Sequence, residues 1–221
     1  MAAATNVKPA LGAIIDAFEQ DTSLTVSVTY GSTGKLTTQI LDGAPFDIFL
    51  AADTEGPEQL DPSGALASRG ARRPYAIGKL MLWAPDHAPG LTLEDVLGDP
   101  AVRYIAVANP DLAPYGRAAM ETLDALGADA ALSGKLVHGE NIGQAFTLVA
   151  TGNAQAGFIA RSQEGRASGT VLPIPAAAHA PIVQDAVLLS GPERPAAAAF
   201  FAFLFDEPSR AIFAAHGYTE P

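Results

Sequence analysis

The sequence contains no cysteine, which excludes disulfide bonds and thiolate chemistry. Basic residues are scarce, since 13 Lys and Arg stand against 24 Asp and Glu and give a net charge of −11. This charge disfavours binding to nucleic acids and to anionic membrane surfaces. It also repels small anions at long range, so an anion site in this chain has to rely on local donors. Strongly apolar runs, such as residues 79–84 and 182–189, are too short to span a bilayer.

The sequence also lacks recognisable catalytic and metal-binding patterns. No G-x-S-x-G motif is present, and Asp47 and Asp53 have no paired base. The histidines are scattered without metal-ligand spacing: His87, His138, His179 and His216. A hydrolase or transferase would need a nucleophile and a base that the sequence does not offer. We therefore predict a protein that is not an enzyme, with no catalytic residues, no residues that bind a metal cation directly and no cofactor.

With 221 residues, the chain can form one large domain or two lobes of about 100 residues each. After a very short first strand, the patterning predicts strands at residues 24–30, 46–52, 79–83, 103–108, 135–137, 156–159 and 182–189. It predicts helices at residues 8–20, 35–41, 115–126, 142–150, 196–205 and 209–215. This alternation predicts mostly parallel sheets covered by helices.

Three runs of small and hydroxyl residues lie where a predicted strand gives way to a helix: Ala4-Thr5-Asn6, Gly31-Ser32-Thr33-Gly34 and Ala113-Pro114-Tyr115-Gly116. Helix starts carry unpaired backbone N–H groups and the positive end of the helix dipole, so they favour anions. We predict that the three starts share one small anion. Each run alone also fits an ordinary helix cap. A nucleotide phosphate loop is excluded, because Thr29 and Leu36 occupy positions that require Gly and Ser or Thr.

Phrases spread over nearly the whole sequence resemble the molybdate-binding proteins that serve ABC importers. They include, besides the three runs, Ala51-Ala52-Asp53, Glu140-Asn141-Ile142-Gly143, Pro181-Ile182-Val183-Gln184 and Gly217-Tyr218. The resemblance implies a two-lobed periplasmic binding protein of type II, an α/β fold of mostly parallel sheets flanked by helices, with the ligand in the cleft between the lobes. Lobe I would comprise residues 1–79 and 188–221, and lobe II residues 80–187.

The resemblance also implies the site, in which a molybdate or tungstate oxyanion is held by Thr5, Asn6, Ser32, Thr33, Tyr115 and Ile142. Asn6 would contribute its side chain and nearby backbone, Ser32 and Thr33 their hydroxyls, and Tyr115 and Ile142 their backbone N–H groups. The partner would be the membrane permease of a cognate ABC transporter, served by a monomer that binds no nucleic acid. The implied setting is periplasmic or extracellular, with or without a lipid anchor, although the sequence as given carries no export signal.

Two features depart from the family. Ala160 stands where some relatives have a tyrosine that contacts the anion, a role that Tyr115 is expected to take over. The first strand, at residues 1–4, is shorter than in most relatives. A second hypothesis is the effector-sensing domain of an oxyanion-responsive transcriptional regulator, which can use the same architecture. The sequence shows no helix-turn-helix candidate and no basic patch, which argues against it.

Overall fold

The computed structural model describes residues 1–67, 71–191 and 195–221. Its strands are β1 (Ala2–Ala4), β2 (Thr29–Gly31), β3 (Ile48–Leu50), β4 (Arg72–Gly78), β5 (Leu80–Ala84), β6 (Ile105–Ala108), β7 (Leu136–Gly139), β8 (Ala156–Ala160), β9 (Thr170–Pro173) and β10 (Ile182–Leu188). Its helices are α1 (Lys8–Asp21), α2 (Thr33–Leu41), α3 (Glu55–Leu60), α4 (Leu93–Gly98), α5 (Pro114–Ala125), α6 (Asp129–Leu132), α7 (Ile142–Ala150), α8 (Pro195–Phe203) and α9 (Glu207–Ala215). Within the described ranges, no helix has the length and hydropathy needed to cross a membrane.

The chain divides into two compact units. Unit 1 comprises Met1–Gly78 and Val183–Pro221, and unit 2 comprises Lys79–Ile182. From the sequence, the boundary at which the chain returns from lobe II to lobe I was expected further along, between residues 187 and 188. The earlier division has a physical reason, because Ala186 and Val187 of β10 already pair antiparallel with Leu50 and Phe49 of β3. The strand predicted at the end of the second lobe thus belongs to the sheet of the first.

Unit 1 contains a five-stranded sheet with the order β2-β1-β3-β10-β4. Strand β1 is parallel to both β2 and β3, and β10 runs antiparallel to β3. Alternate residues of these strands enter opposite faces of the sheet. Ala3 and Leu50 pack into a cluster with α1, α8 and α9, whereas Ala2 and Phe49 pack into a cluster with α2 and α3. Helices therefore cover both faces of this sheet.

Aromatic contacts fix the helices of the first face in unit 1. The Phe18 ring of α1 meets the Phe200 ring of α8 edge to face, with the ring centroids 5.0 Å apart. The Tyr75 ring of β4 lies 5.2 Å from the Phe213 ring of α9. Such pairs contribute beyond the area that they bury. These contacts thus join α1 to α8 and α9 to strand β4.

Unit 2 contains a second five-stranded sheet with the order β7-β6-β8-β5-β9. Strand β6 is parallel to β7 and β8, while β5 runs antiparallel to β8 and β9. All residues of β5, β6 and β8 are buried, as expected for strands with both faces covered. The sheets of both units are therefore mixed, with parallel strands where the predicted site residues follow.

Candidate functional site

Three parallel strands of unit 1 end at one edge of its sheet, and the predicted site residues follow them directly. Ala4 pairs with Gly31, so Thr5 and Ser32 are the next residues on two neighbouring strands. Strand β3, on the other side of β1, ends at Leu50. Because parallel strands present their carboxyl ends together, the turns after β1, β2 and β3 form one group. We call Thr5, Asn6, Ser32 and Thr33 half-site 1.

The start of α2 shows the chemistry expected of an anion site. Ser32 is the N-cap residue and has extended backbone angles, but its side chain makes no capping hydrogen bond. Its Oγ is buried and has no hydrogen-bond partner among the described residues. A buried hydroxyl without a partner costs about 1–3 kcal/mol. Cap serines ordinarily satisfy a first-turn N–H group, so a hydroxyl that makes no such bond can instead contact a ligand at the start of α2.

Thr33 supports the same position through its hydroxyl. Its Oγ1 accepts the backbone N–H of Ala52 at 3.0 Å, which ties the start of α2 to the turn after β3. This bond uses a lone pair of the oxygen and leaves the hydroxyl hydrogen available for donation. Ser32 and Thr33 are only 2% and 1% exposed. These two hydroxyls of half-site 1 are thus buried, and that of Thr33 is held in place by the Ala52 N–H.

The side-chain amide of Asn6 is oriented by hydrogen bonds to other buried side chains. Its Nδ2 group donates to Gln184 Oε1 at 2.8 Å and to the Tyr218 hydroxyl at 3.0 Å. Tyr75 also donates to Gln184 Oε1, at 2.8 Å. Both amide hydrogens of Asn6 therefore have acceptors inside unit 1. The predicted contact between the Asn6 side chain and an anion remains a prediction, and the geometry shows what orients that side chain.

In unit 2, two parallel strands end side by side in the same way. Ala108 of β6 pairs with Gly139 of β7, and the Asn109 N–H donates to the Gly139 carbonyl at 2.7 Å. Helix α5 follows β6, and helix α7 follows β7. The predicted residues Tyr115 and Ile142 lie in the first turns of these helices, at 2% and 3% exposure. We call Tyr115 and Ile142 half-site 2.

A glycine brings α5 close to the end of its strand. A Cβ atom on Gly116 would clash with the carbonyl oxygen of Ala108, so no larger residue fits without a shift of the backbone. Ala113, the N-cap residue, makes no side-chain cap, and Pro114 occupies the first turn of the helix. Proline is common there because it removes a donor that has no intrahelical partner. The N–H of Tyr115 is then a first-turn donor of α5.

At the start of α7, a side-chain cap binds two first-turn N–H groups but not the N–H of Ile142. Asn141 is the N-cap residue, and its Oδ1 accepts the N–H groups of Gly143 and Gln144, each at 3.0 Å. The N–H of Ile142 lies outside this cap. Gln163 holds the same turn from the other side, because its Nε2 donates to the Ile142 carbonyl at 3.3 Å and its Oε1 accepts the Ala160 N–H at 2.9 Å. Sequence reasoning missed Gln163, since no local pattern connects it to α7.

Asp185, which was not singled out from the sequence, carries a buried carboxyl group, and its backbone contacts the turn after β3. The backbone carbonyl of Asp185 accepts the Ala51 N–H at 2.9 Å, in the turn after β3. Burial raises the pKa of the Asp185 side chain to about 6, against the opposing attraction of Arg72. The Arg72 guanidinium lies 3.4 Å from the carboxylate. Across the described ranges, no group of three or more His, Cys, Asp or Glu is placed to hold a metal ion.

Fold and half-sites together define a class of protein: an α/β binding protein whose helix starts gather at the ends of parallel strands, an arrangement suited to small oxyanions. The family model of bacterial extracellular solute-binding proteins matches residues 1–219. The chain therefore belongs to the bacterial extracellular solute-binding proteins.

Individual relatives are similar over almost the whole chain. The molybdate-binding protein ModA of Azotobacter vinelandii is 40% identical over 225 residues, which cover 99% of this chain and 88% of that protein. The ModA protein of Rhodobacter capsulatus is 41% identical over 207 residues, covering 91% and 80%. The solved structure of the Azotobacter vinelandii periplasmic molybdate-binding protein superposes with a TM-score of 0.92 at 36% identity and covers 100% of this chain and 98% of that one.

These similarities confirm the family resemblance and the two-lobed α/β fold class predicted from the sequence. The named relatives are binding proteins rather than enzymes. They give no support to the alternative of a transcriptional regulator.

Proposed function

We propose that this protein binds molybdate or tungstate in the periplasm and passes it to the membrane permease of a cognate ABC importer. The relatives described above are molybdate-binding proteins, and one of them is described as periplasmic. The observation that carries the proposal is the Ser32 hydroxyl, which is buried without a hydrogen-bond partner among the described residues and lies at the uncapped start of α2. We further propose that the protein acts as a monomer without a cofactor.

The proposed donors come from both half-sites. In half-site 1 they are the hydroxyls of Ser32 and Thr33 and the first-turn groups at Thr5 and Asn6. In half-site 2 they are the backbone N–H groups of Tyr115 and Ile142. We propose that one anion takes donors from both sets, so that binding brings the two half-sites onto the same ligand. Losing a donor from either set should therefore weaken the same binding event.

Uncharged donors can supply enough free energy for tight binding. A dianion that leaves water loses a large solvation energy, so its oxygens need donors that are fixed in advance. Each hydrogen bond to a charged group contributes about 1.5–3 kcal/mol, and about six would supply roughly 9–18 kcal/mol before the cost of ordering the protein. A Kd between about micromolar and nanomolar, or ~8–12 kcal/mol, fits this sum.

The same donors favour one class of oxyanion. A site made of N–H and O–H donors contains no carboxylate to accept the hydrogen of hydrogen phosphate, so fully deprotonated anions are expected to bind better. Sulfate is also fully deprotonated but smaller than molybdate and tungstate, so donors spaced for the larger anions reach it less well. We therefore expect molybdate and tungstate to bind more tightly than sulfate and phosphate.

A thermal-shift comparison tests the proposal. The protein is heated with molybdate, tungstate, sulfate or phosphate at equal concentration and ionic strength. A ligand that binds only the folded state stabilises it by about 2.7 kcal/mol at 100 times its Kd, which raises Tm. Molybdate and tungstate should raise Tm, and sulfate and phosphate should not. An equal shift with all four anions, or no shift with molybdate, would refute the proposal.

A further inference from the structure

Four buried side chains of unit 1 form a hydrogen-bond network behind half-site 1. They are Asn6, Tyr75, Gln184 and Tyr218, and their exposures range from 0% to 6%. They come from the turn after β1, from β4, from β10 and from the segment after α9. The network therefore joins parts of the chain that are far apart in sequence, since Asn6 and Tyr218 are 212 positions apart.

The direction of each hydrogen bond follows from the donors available. Asn6 Nδ2 has two hydrogens, and they go to Gln184 Oε1 at 2.8 Å and to the Tyr218 oxygen at 3.0 Å. The Tyr218 hydroxyl in turn donates to the backbone carbonyl of Asn6 at 3.0 Å. Tyr218 thus contacts both the side chain and the backbone of one residue. The Tyr218 hydroxyl therefore helps to orient both the Asn6 amide, together with Gln184, and the peptide group that follows Asn6.

Tyr218 is itself held in place by several contacts. Helix α9 ends in a turn in which Gly217 has a φ of +83° and the Tyr218 N–H donates to the Phe213 carbonyl at 3.1 Å. The Tyr218 ring meets the Phe213 ring edge to face, with centroids 5.8 Å apart. Thr219 and Ile77 of β4 exchange backbone hydrogen bonds of 2.8 and 3.1 Å. The hydroxyl is therefore presented to Asn6 from an ordered segment.

We propose that Tyr218 is a positioning residue for oxyanion binding, which acts through Asn6 and does not touch the anion. This inference rests on the proposed function. Asn6 lies in the short helix Thr5–Val7, the first helical turn after β1, where backbone donors would face the ligand. Loss of the Tyr218 hydroxyl leaves a buried N–H hydrogen and a buried carbonyl to find new partners. The first turn then has to reorient, and preorganised donors lose their alignment with the anion.

The test compares molybdate affinities by titration calorimetry. Tyr218→Phe removes only the hydroxyl, and we expect Kd to rise about tenfold, equal to about 1.4 kcal/mol. Tyr104→Phe is the matched control, because Tyr104 lies in unit 2, is 46% exposed and has no role in the network. Ile14→Val is the stability control, since Ile14 is fully buried in the core of unit 1. Both controls should keep Kd within about twofold of the parent protein.

A second set of variants separates positioning from general destabilisation. Tyr75→Phe removes one of the two donors to Gln184 Oε1 and leaves the Asn6 contacts in place, so we expect a smaller rise in Kd of about threefold. In an Asn6→Ala background, Tyr218→Phe should cost clearly less than in the parent protein, because part of its action runs through the Asn6 amide. This set also provides a readout if Tyr218→Phe does not fold.

The outcomes are distinguishable. An unchanged Kd in Tyr218→Phe, an Ile14→Val effect of the same size, or a full Tyr218→Phe effect in the Asn6→Ala background would overturn the positioning role while the proposed function stands. If the parent protein and Tyr104→Phe both fail to bind molybdate, the proposed function itself fails and the inference falls with it. A large effect in Tyr218→Phe, a small one in Tyr75→Phe and none in the two controls supports the inference.

Discussion

Replacing Ile142 with proline removes one proposed anion donor and keeps the start of α7. Ile142 is the first residue of the helix, where proline is well tolerated. Asn141 before it has φ −150° and ψ 173°, an extended conformation that a residue preceding proline readily adopts. The Asn141 side chain can still cap Gly143 and Gln144. The change therefore deletes the N–H of Ile142 and part of a buried side chain, with little effect on the rest of the turn.

The expected loss of molybdate affinity is that of one hydrogen bond from the Ile142 N–H to the anion. A hydrogen bond to a charged group contributes about 1.5–3 kcal/mol, so Kd for molybdate should rise about 10- to 150-fold. Ile142→Val is the matched control, because it trims the same buried side chain but keeps the N–H. We expect Ile142→Val to keep Kd within about threefold and to lower the free energy of unfolding by about 0.5–1.5 kcal/mol.

Titration calorimetry with molybdate, together with urea unfolding in its absence, measures both quantities. We expect a large change in Kd for the proline variant and a small one for the valine variant. If the two variants bind molybdate equally well, the N–H of Ile142 is not a donor to the anion. If both lose affinity equally, the side chain rather than the backbone group matters.

Three further substitutions give distinct signatures. Ser32→Ala should weaken molybdate binding about 10- to 100-fold while leaving the free energy of unfolding unchanged or higher, because it removes a buried hydroxyl without a described partner. Thr33→Val should weaken binding by about 1–3 kcal/mol and also destabilise the fold, since the Ala52 N–H loses its acceptor. For Asp185→Asn, the stability advantage over the parent protein should grow as pH rises from 4 to 7, by up to about 3 kcal/mol.

The sign of the pH effect comes from the raised pKa. The pKa of Asp185 is about 6 in the folded protein, above its ordinary value of 3.8, so the folded state holds the extra proton between these values. The parent protein then loses stability as pH rises through this range, and the asparagine variant does not titrate. Urea unfolding at a series of pH values measures the difference, and a pH-independent difference would contradict it. For Ser32→Ala, parallel losses of affinity and stability would argue against a ligand-binding hydroxyl.

Much of the fold could be predicted because its signals are local. The starts of α5 and α7 follow from Pro114 and Asn141, and the buried strands β3, β6 and β8 follow from short apolar runs. The alternating residues 24–30 gave only a three-residue strand, Thr29–Gly31. Of residues 24–31, only 29–31 pair with β1, whereas Leu24 and Val26 pack against the core of unit 1. The alternation of apolar and polar residues thus reflects how these side chains pack, and it does not show that the backbone pairs with another strand.

Other elements gave weak or misleading signals. The patterning did not predict strand β4, which contains Pro74 and lies at the edge of its sheet, where proline is tolerated. Helices α3 and α4 have only six residues each, too few to establish a periodicity. The network of Asn6, Gln184 and Tyr218 depends on contacts between distant segments, which no local pattern reveals. The site prediction therefore identified the helix starts but not the residues that orient them.

A crystal structure of the protein grown with molybdate tests the central claim most directly. The anomalous signal of molybdenum locates the anion without reference to the protein chain. We expect the anion to lie within hydrogen-bond distance of the Ser32 hydroxyl and of the Ile142 backbone N–H, surrounded by uncharged donors. An anion bound elsewhere, or one held mainly by arginine and lysine side chains, would contradict it.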